Sequence, residues 1–294
     1  MKPNDETTVL ERSRSTATRQ SRRRFLQTVA VGSGVGLAGC LSRGAERDGQ
    51  QGTAESEAIA DLSFEGEDLV LTATEGFHGS ELHVVDPTET VWAKTSTEHT
   101  TGKARIPLLD VDSFDDDNHY TPGTFQFVFD PRESESYTEH VELVPKISVI
   151  RVEQFGKETP LGFGRIAIAM QNSGTGPTWI SDITYEGAPN YAANDEVSTN
   201  TFPSLHGIEK PTDAILQPQS SQTYLSRQVP LRFLSEEQDC SPEDFSMILV
   251  VSTPRSDLLR YKIEATKGGK PGSVSLIDAY VCSDVQLTLH DEVA

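Results

Sequence analysis

Between Asp61 and Leu143 the apolar residues fall in short runs separated by turn residues, and nowhere is the helical period sustained. A chain written this way has to bury its apolar side chains on sheet faces. Leu69-Val70-Leu71-Thr72 reads as the first clear strand, broken at Gly76 and Gly79. Glu81 to Val85 follows and stops at Asp86-Pro87, with Val91-Trp92-Ala93-Lys94 placed to pair with it as a hairpin. Ala104 to Leu108, Thr124 to Phe129 after Pro122-Gly123, and Tyr137 to Leu143 complete the set. Six or seven strands at intervals of about 8–12 residues predict a β-sandwich.

A boundary is expected at Val144-Pro145-Lys146, where one strand ends and another begins almost at once. Beyond it Ile147 to Val152, Arg165 to Met170, Trp179 to Ile183 and Thr223 to Leu225 read as strands. Met247 to Val251 is apolar on both faces, which predicts a central strand. Tyr261 to Ala265 and Val285 to Leu289 alternate cleanly. Trp92 and Trp179 lie inside apolar runs and are expected in the core. Glu186 to Ala214 shows no clear strand pattern, and compact domains rarely carry so long a loop without a use for it.

Two sets of turns carry a family likeness. Tyr120-Thr121-Pro122-Gly123-Thr124-Phe125 resembles the turn into a late strand of immunoglobulin-like extracellular domains. Asn172-Ser173-Gly174-Thr175-Gly176-Pro177, with the later Leu216-Gln217-Pro218-Gln219-Ser220 turn, resembles adhesion-related immunoglobulin-like modules of archaeal and bacterial cell surfaces. The resemblance implies two immunoglobulin-like β-sandwiches in an all-β chain. Turn motifs speak to fold and leave function open.

The N-terminus is built differently. Arg12, Arg14, Arg19, Arg22, Arg23 and Arg24 precede an apolar run from Phe25 to Gly39. As a helix that run would span about 22 Å, short of the ~30 Å hydrocarbon core. A basic region, a short apolar stretch and small residues before a cleavage point describe a signal peptide, not a resident span. Ser21-Arg22-Arg23-Arg24-Phe25-Leu26-Gln27 resembles the twin-arginine export consensus, in which Arg22, Arg23, Phe25 and Leu26 are the matching positions. Leu37-Ala38-Gly39-Cys40 resembles a lipobox. The resemblance implies export, lipidation of Cys40 with two acyl chains, and anchoring to the outer face of the cytoplasmic membrane, with membrane lipid as the partner of the anchor. Two chains give a stable tether where one binds reversibly.

Removing the signal sharpens the charge. The chain carries a formal −20; residues 1–39 hold 7 of its 25 Lys and Arg and 3 of its 45 Asp and Glu, leaving 18 positive and 42 negative side chains, a net of −24. Such a body repels nucleic acid and anionic headgroups, which excludes nucleic acid as a partner. Self-repulsion on this scale is tolerated in molar salt, where screening acts over about 3 Å. Export signal, lipobox and acidic body together resemble lipoproteins of halophilic archaea; an acidic bacterial surface lipoprotein fits the same residues. Cys240 and Cys282 remain as either a disulfide outside the reducing cytosol or two buried thiols, and the export signal favours the pair.

Residue patterns that carry chemistry are few. Histidines stand apart at 78, 83, 99, 119, 140, 206 and 290. There is no HExxH, no CxxC, no Gly-x-Ser-x-Gly in the mature chain and no phosphate-cradling Gly-Lys loop. A blue-copper site needs a cysteine, two histidines and a weak methionine, but Cys282 is followed by His290 and no methionine, with Met247 upstream. The run Asp110 to Asn118, with Asp112, Asp115, Asp116 and Asp117, is the better metal candidate, since calcium takes converging carboxylates. It lacks the EF-hand spacing, and in so acidic a chain a solvated loop is the default. Tyr191, Phe202 and His206 in the long loop would make an adaptable contact surface or pin the loop to the body.

The organisation expected is a signal peptide over 1–39, a flexible tether over 40–60 starting at Cys40, one sandwich over 61–144, and a second over 145–294 carrying the loop 186–214. The function expected is a non-catalytic binding or structural module at the cell surface, with no cofactor, that meets an unknown surface protein or glycan. The rival expectation is an extracytoplasmic solute- or calcium-binding protein.

Overall fold

A computed structural model describes residues 56–113, 119–131, 135–156, 164–190, 202–234, 238–255, 258–274 and 279–293. Its first part runs through β1 (Ile59–Glu65), β2 (Asp68–Ala73), β3 (Glu81–Val85), β4 (Val91–Ser96), β5 (Lys103–Pro107), β6 (Gly123–Asp130) and β7 (Tyr137–Leu143). One antiparallel sheet has the order β1-β2-β5 and another the order β4-β3-β6-β7. Alternation explains the packing. In β6 Phe125, Phe127 and Phe129 share one face and are fully buried, joined by Leu82 and Val84 of β3 and by Leu69, Leu71 and Ile106 from the other sheet. Each such side chain contributes about 1.5–3 kcal/mol when fully buried.

Two details differ from expectation. β1 begins at Ile59, inside the segment whose composition reads as tether, because Ala58 and Ile59 pack into the core among polar neighbours. Trp92 is only partly buried: its indole covers the core while its Nε1–H donates to the Pro107 carbonyl (2.8 Å). Trp179 is fully buried.

The second part contains β8 (Ile147–Gln154), β9 (Ile166–Asn172), β10 (Thr178–Trp179), β11 (Asp182–Glu186), β12 (Ile215–Leu216), β13 (Ser220–Leu225), β14 (Phe233–Leu234), β15 (Glu243–Ser252), β16 (Leu259–Val274) and β17 (Ala279–Glu292). The sheets are β13-β9-β8 and β11-β15-β16-β17-β14, with β10 and β12 paired separately. The run Met247 to Val251 does lie inside its sheet, between β11 and β16, with Met247, Leu249, Val250 and Val251 buried. The chain is all-β, with antiparallel sheets consistent with a β-sandwich.

β16 and β17 run well past the two alternating segments seen in the sequence. Gly268-Gly269-Lys270-Pro271 reads as a turn, yet the hairpin continues through it with a register shift between Gly268 and Pro271. At the other edge Gln154 joins the two sheets: its Nε2 donates to the Cys282 carbonyl (2.8 Å) and its Oε1 accepts from Val285 N–H (2.8 Å). Cys240 and Cys282 are disulfide-bonded, with Cα atoms 5.6 Å apart, tying the segment before β15 to β17.

The change from one pair of sheets to the next falls in Val144-Pro145-Lys146, and the junction there is tightly knotted. Asn172 is fully buried with both ends of its amide satisfied. Its Oδ1 accepts from Lys146 N–H and Gly174 N–H (3.0 Å each), and its Nδ2 donates to the carbonyls of Gly176 (2.8 Å) and Leu216 (3.2 Å). The Tyr120 hydroxyl crosses from the first part to donate to Pro177 (2.9 Å). A Cβ on Gly176 would overlap that hydroxyl, which is why the turn needs glycine there. His119 completes the contact, stacked on Tyr120 (4.6 Å between ring centres) and tilted against Trp179 (5.1 Å). The described residues of both parts fall in one compact unit, and their buried side chains belong to one cluster.

Candidate functional site

Arg22, Arg23, Phe25, Leu26 and Cys40 lie outside the described residues, as do Asp115, Asp116, Asp117 and Tyr191. What remains of the acidic candidate is a turn held on the β1–β2 hairpin. Glu67 Oε1 accepts from Val111 N–H (2.8 Å), and its carbonyl accepts from Leu108 and Leu109. Burial raises the Glu67 carboxyl above the usual range, against the lowering by the Val111 N–H, and Asp112, Asp110 and Asp68 add repulsion. Among the described residues no three His, Cys, Asp or Glu side chains converge as metal ligands.

His206 leads to a different cluster. Its backbone N–H donates to Leu225 (2.9 Å), and Leu205 bridges to Ser226, so this flank of the long loop lies along the end of β13. Arg165 Nη2 donates to His206 Nδ1 (3.3 Å). A guanidinium cannot accept, so the imidazole does, as the neutral tautomer with its proton on Nε2. Burial, and then the Arg165 charge, hold the His206 pKa below its ordinary value.

Arg232 stands beside Arg165 because of the backbone beneath them. Leu231 N–H donates to the Gly164 carbonyl (3.0 Å), laying the 229–232 turn against the entry to β9. Gly164 has φ +85°, and a Cβ there would press on Val281 and on the backbone of Leu231 and Arg232. Asn190 fixes the same turn, its Nδ2 donating to Val229 (3.2 Å). Below them Tyr185, fully buried, donates to Ser226 Oγ (3.3 Å), which donates to the Gln228 carbonyl (3.0 Å).

The electrostatics are unusual for so acidic a chain. Burial lowers the Arg165 pKa and the neighbouring Arg232 charge lowers it further. Among the described residues the buried Nε atoms of both arginines have no hydrogen-bond partner. Among the described residues neither Arg165 nor Arg232 forms an ion pair, whereas Arg105, Arg151, Arg260, Lys94, Lys262 and Lys267 all do. No protein-family model matches the chain, and no curated protein matches it by sequence.

The sequence brings out His206 but not Arg165, Arg232 or Tyr185, which the fold draws together from separate segments. A signal for the arginines was present: both stand against apolar residues, in Gly164-Arg165-Ile166-Ala167 and Pro230-Leu231-Arg232-Phe233, in a chain poor in cations. Elsewhere, an open concavity of about 450 Å³ across β8, β9 and β13 is lined by Ile150, Arg151, Ala169, Ser221, Gln222 and Thr223. It has a single cation and no convergent polar set, so it offers little for recognition.

Proposed function

We propose that the chain is an exported lipoprotein, anchored through Cys40 to the outer face of the cytoplasmic membrane, whose all-β body is a non-catalytic binding module. The observation that carries this reading is the ordered pair of N-terminal motifs, Ser21 to Gln27 followed by Leu37 to Cys40. The Cys240–Cys282 bond supports it from the body, since disulfides persist outside the reducing cytosol. Cys40 is then the one cysteine of the chain's three left to carry a lipid.

The body's sheet orders support an immunoglobulin-like reading of the first part. Three strands face four, β2 pairs with β5 and β3 with β6, and the chain crosses between sheets in Greek-key fashion. Tyr120 occupies the corner where immunoglobulin-like domains carry a tyrosine, but here its hydroxyl reaches into the second part.

Mass spectrometry of the purified mature chain tests the proposal. A new N-terminus at Cys40 bearing two acyl chains is expected, with Cys40→Ser unlipidated and Arg22→Lys/Arg23→Lys retained inside the cell. An intact Met1 on a chain recovered from the cytosol sinks it.

A further inference from the structure

We propose that Arg165, Arg232 and His206 form a binding site for an oxyanion group, a carboxylate or a tetrahedral phosphate or sulfate. The inference names a ligand chemistry for the binding body and does not depend on export or lipidation, so its failure would leave the anchor untouched.

Three features converge. The Leu231–Gly164 backbone bond sets the two arginines on adjoining segments, near enough for the Arg232 charge to act on Arg165, and the planar fork of a guanidinium matches an oxyanion in bidentate fashion. Both Nε–H groups are buried, and among the described residues none accepts from them, a state that costs free energy until an acceptor arrives. His206 accepts from Arg165 through Nδ1, which leaves its Nε2–H as a further donor.

Competing explanations fit less well. Surface arginines kept for solubility would hold their heads in water, but these heads are partly withdrawn from it. Arginines kept for a structural ion pair would face a carboxylate, and a chain with 45 Asp and Glu has many to offer. Among the described residues none is supplied here. The arrangement instead sets like charges together over a rigid base of Tyr185, Ser226 and Asn190. The net charge of −20 opposes anions at long range, so the site works through its local donors, and added salt removes the opposition while screening a partly buried contact less.

The test uses the full chain, purified, in thermal unfolding and isothermal titration calorimetry with sodium phosphate, sulfate and acetate, each against sodium chloride at matched ionic strength. At least one oxyanion is expected to stabilise the chain saturably beyond chloride; preference for acetate marks a carboxylate site, preference for phosphate or sulfate a tetrahedral one. Arg165→Gln and Arg232→Gln are each expected to weaken binding about tenfold or more, the worth of a charge-assisted hydrogen bond. Arg232→Gln should not lower the melting temperature in chloride alone, because it removes a repulsion, whereas Arg165→Gln also gives up the bond to His206. If Arg232→Gln does not fold, Arg232→Lys keeps the charge without the fork and must still weaken the saturable response. No saturable response to any of the three anions, or the same response in both arginine variants, overturns the proposal.

Discussion

His119 makes the junction between the two parts of the body sensitive to pH in a way that can be isolated. The ring is 1% exposed, between Tyr120 and Trp179. Its Nδ1 lies 2.6 Å from the Tyr120 carbonyl and therefore carries the proton, so Nε2 accepts from the Thr178 hydroxyl at 3.1 Å. Burial holds its pKa down to about 4 from an ordinary 6.5; the Tyr120 carbonyl opposes the shift and Arg255 adds to it. The folded state thus binds protons less readily than the unfolded one. Stability from this group is complete above about pH 6.5, declines as pH falls through the window, and levels off below about 4. At ~1.4 kcal/mol per pH unit the loss is about 3 kcal/mol. His119→Phe keeps an aromatic ring but strands the Thr178 hydroxyl and the Tyr120 carbonyl, at a cost of about 1–3 kcal/mol independent of pH. Urea unfolding of both proteins, followed by tryptophan fluorescence at fixed ionic strength, gives the difference at each pH. Carboxylate titration and the relief of net charge act on both alike and cancel. The wild type should lead at pH 7.5, and the lead should shrink by about 3 kcal/mol by pH 4, enough to close or reverse it. Parallel stability curves for the two proteins across that range would refute the assignment.

Other perturbations test the rest of the frame. Gly176→Ala should cost about 1–3 kcal/mol by driving a methyl into the Tyr120 hydroxyl, and an unchanged unfolding midpoint would contradict the close approach. Replacing Cys240 and Cys282 together with Ser should cost up to about 4 kcal/mol on the chain-entropy model for their separation of 42 residues; equal stability of wild type with and without reductant would show that the bond contributes nothing. Glu67→Gln should stabilise the chain at neutral pH. A carboxyl whose folded pKa is raised weakens the fold as pH climbs through that value, and the amide oxygen can still accept from Val111. A lower melting temperature at pH 7 would show that the charge itself is needed.

Where the sequence was legible, side-chain period and packing agreed. Phe125, Phe127 and Phe129 alternate in the chain and share a buried face in the fold, and Met247 to Val251 reads as an interior strand and is one. Legibility failed where one residue type serves two ends. Gly268, Gly269 and Pro271 signal a turn, but inside a long hairpin they make an irregularity that the paired arms carry across. Ala58 and Ile59 are too few to mark a strand among polar neighbours, although the sheet needs only the pairing of Ile59 with β2 and a little burial. The arginines were legible only as two cations among apolar residues; that no acid among the described residues pairs with them has no signature in sequence.

The way the scarce cations are used gives that absence its weight. Lys267 sits directly opposite Glu243 on adjacent strands and pairs with it, and Arg105 reaches Glu65 and Asp68 across the first sheet. Exposed pairs such as those of Arg105 are worth about 0–1 kcal/mol and fade further in salt. Their service is to keep acidic neighbours from repelling across a ladder, which matters most where 45 acidic side chains share one chain. Arg165 and Arg232 serve no such purpose, because among the described residues no acid faces them. Two cations withheld from the general neutralisation, and set together where water is partly excluded, raise the local free energy unless an anion arrives. The body can remain folded without one because the surrounding contacts, Leu231 on Gly164 and Tyr185 on Ser226, are made by backbone and hydroxyl groups that do not require the charge to be satisfied.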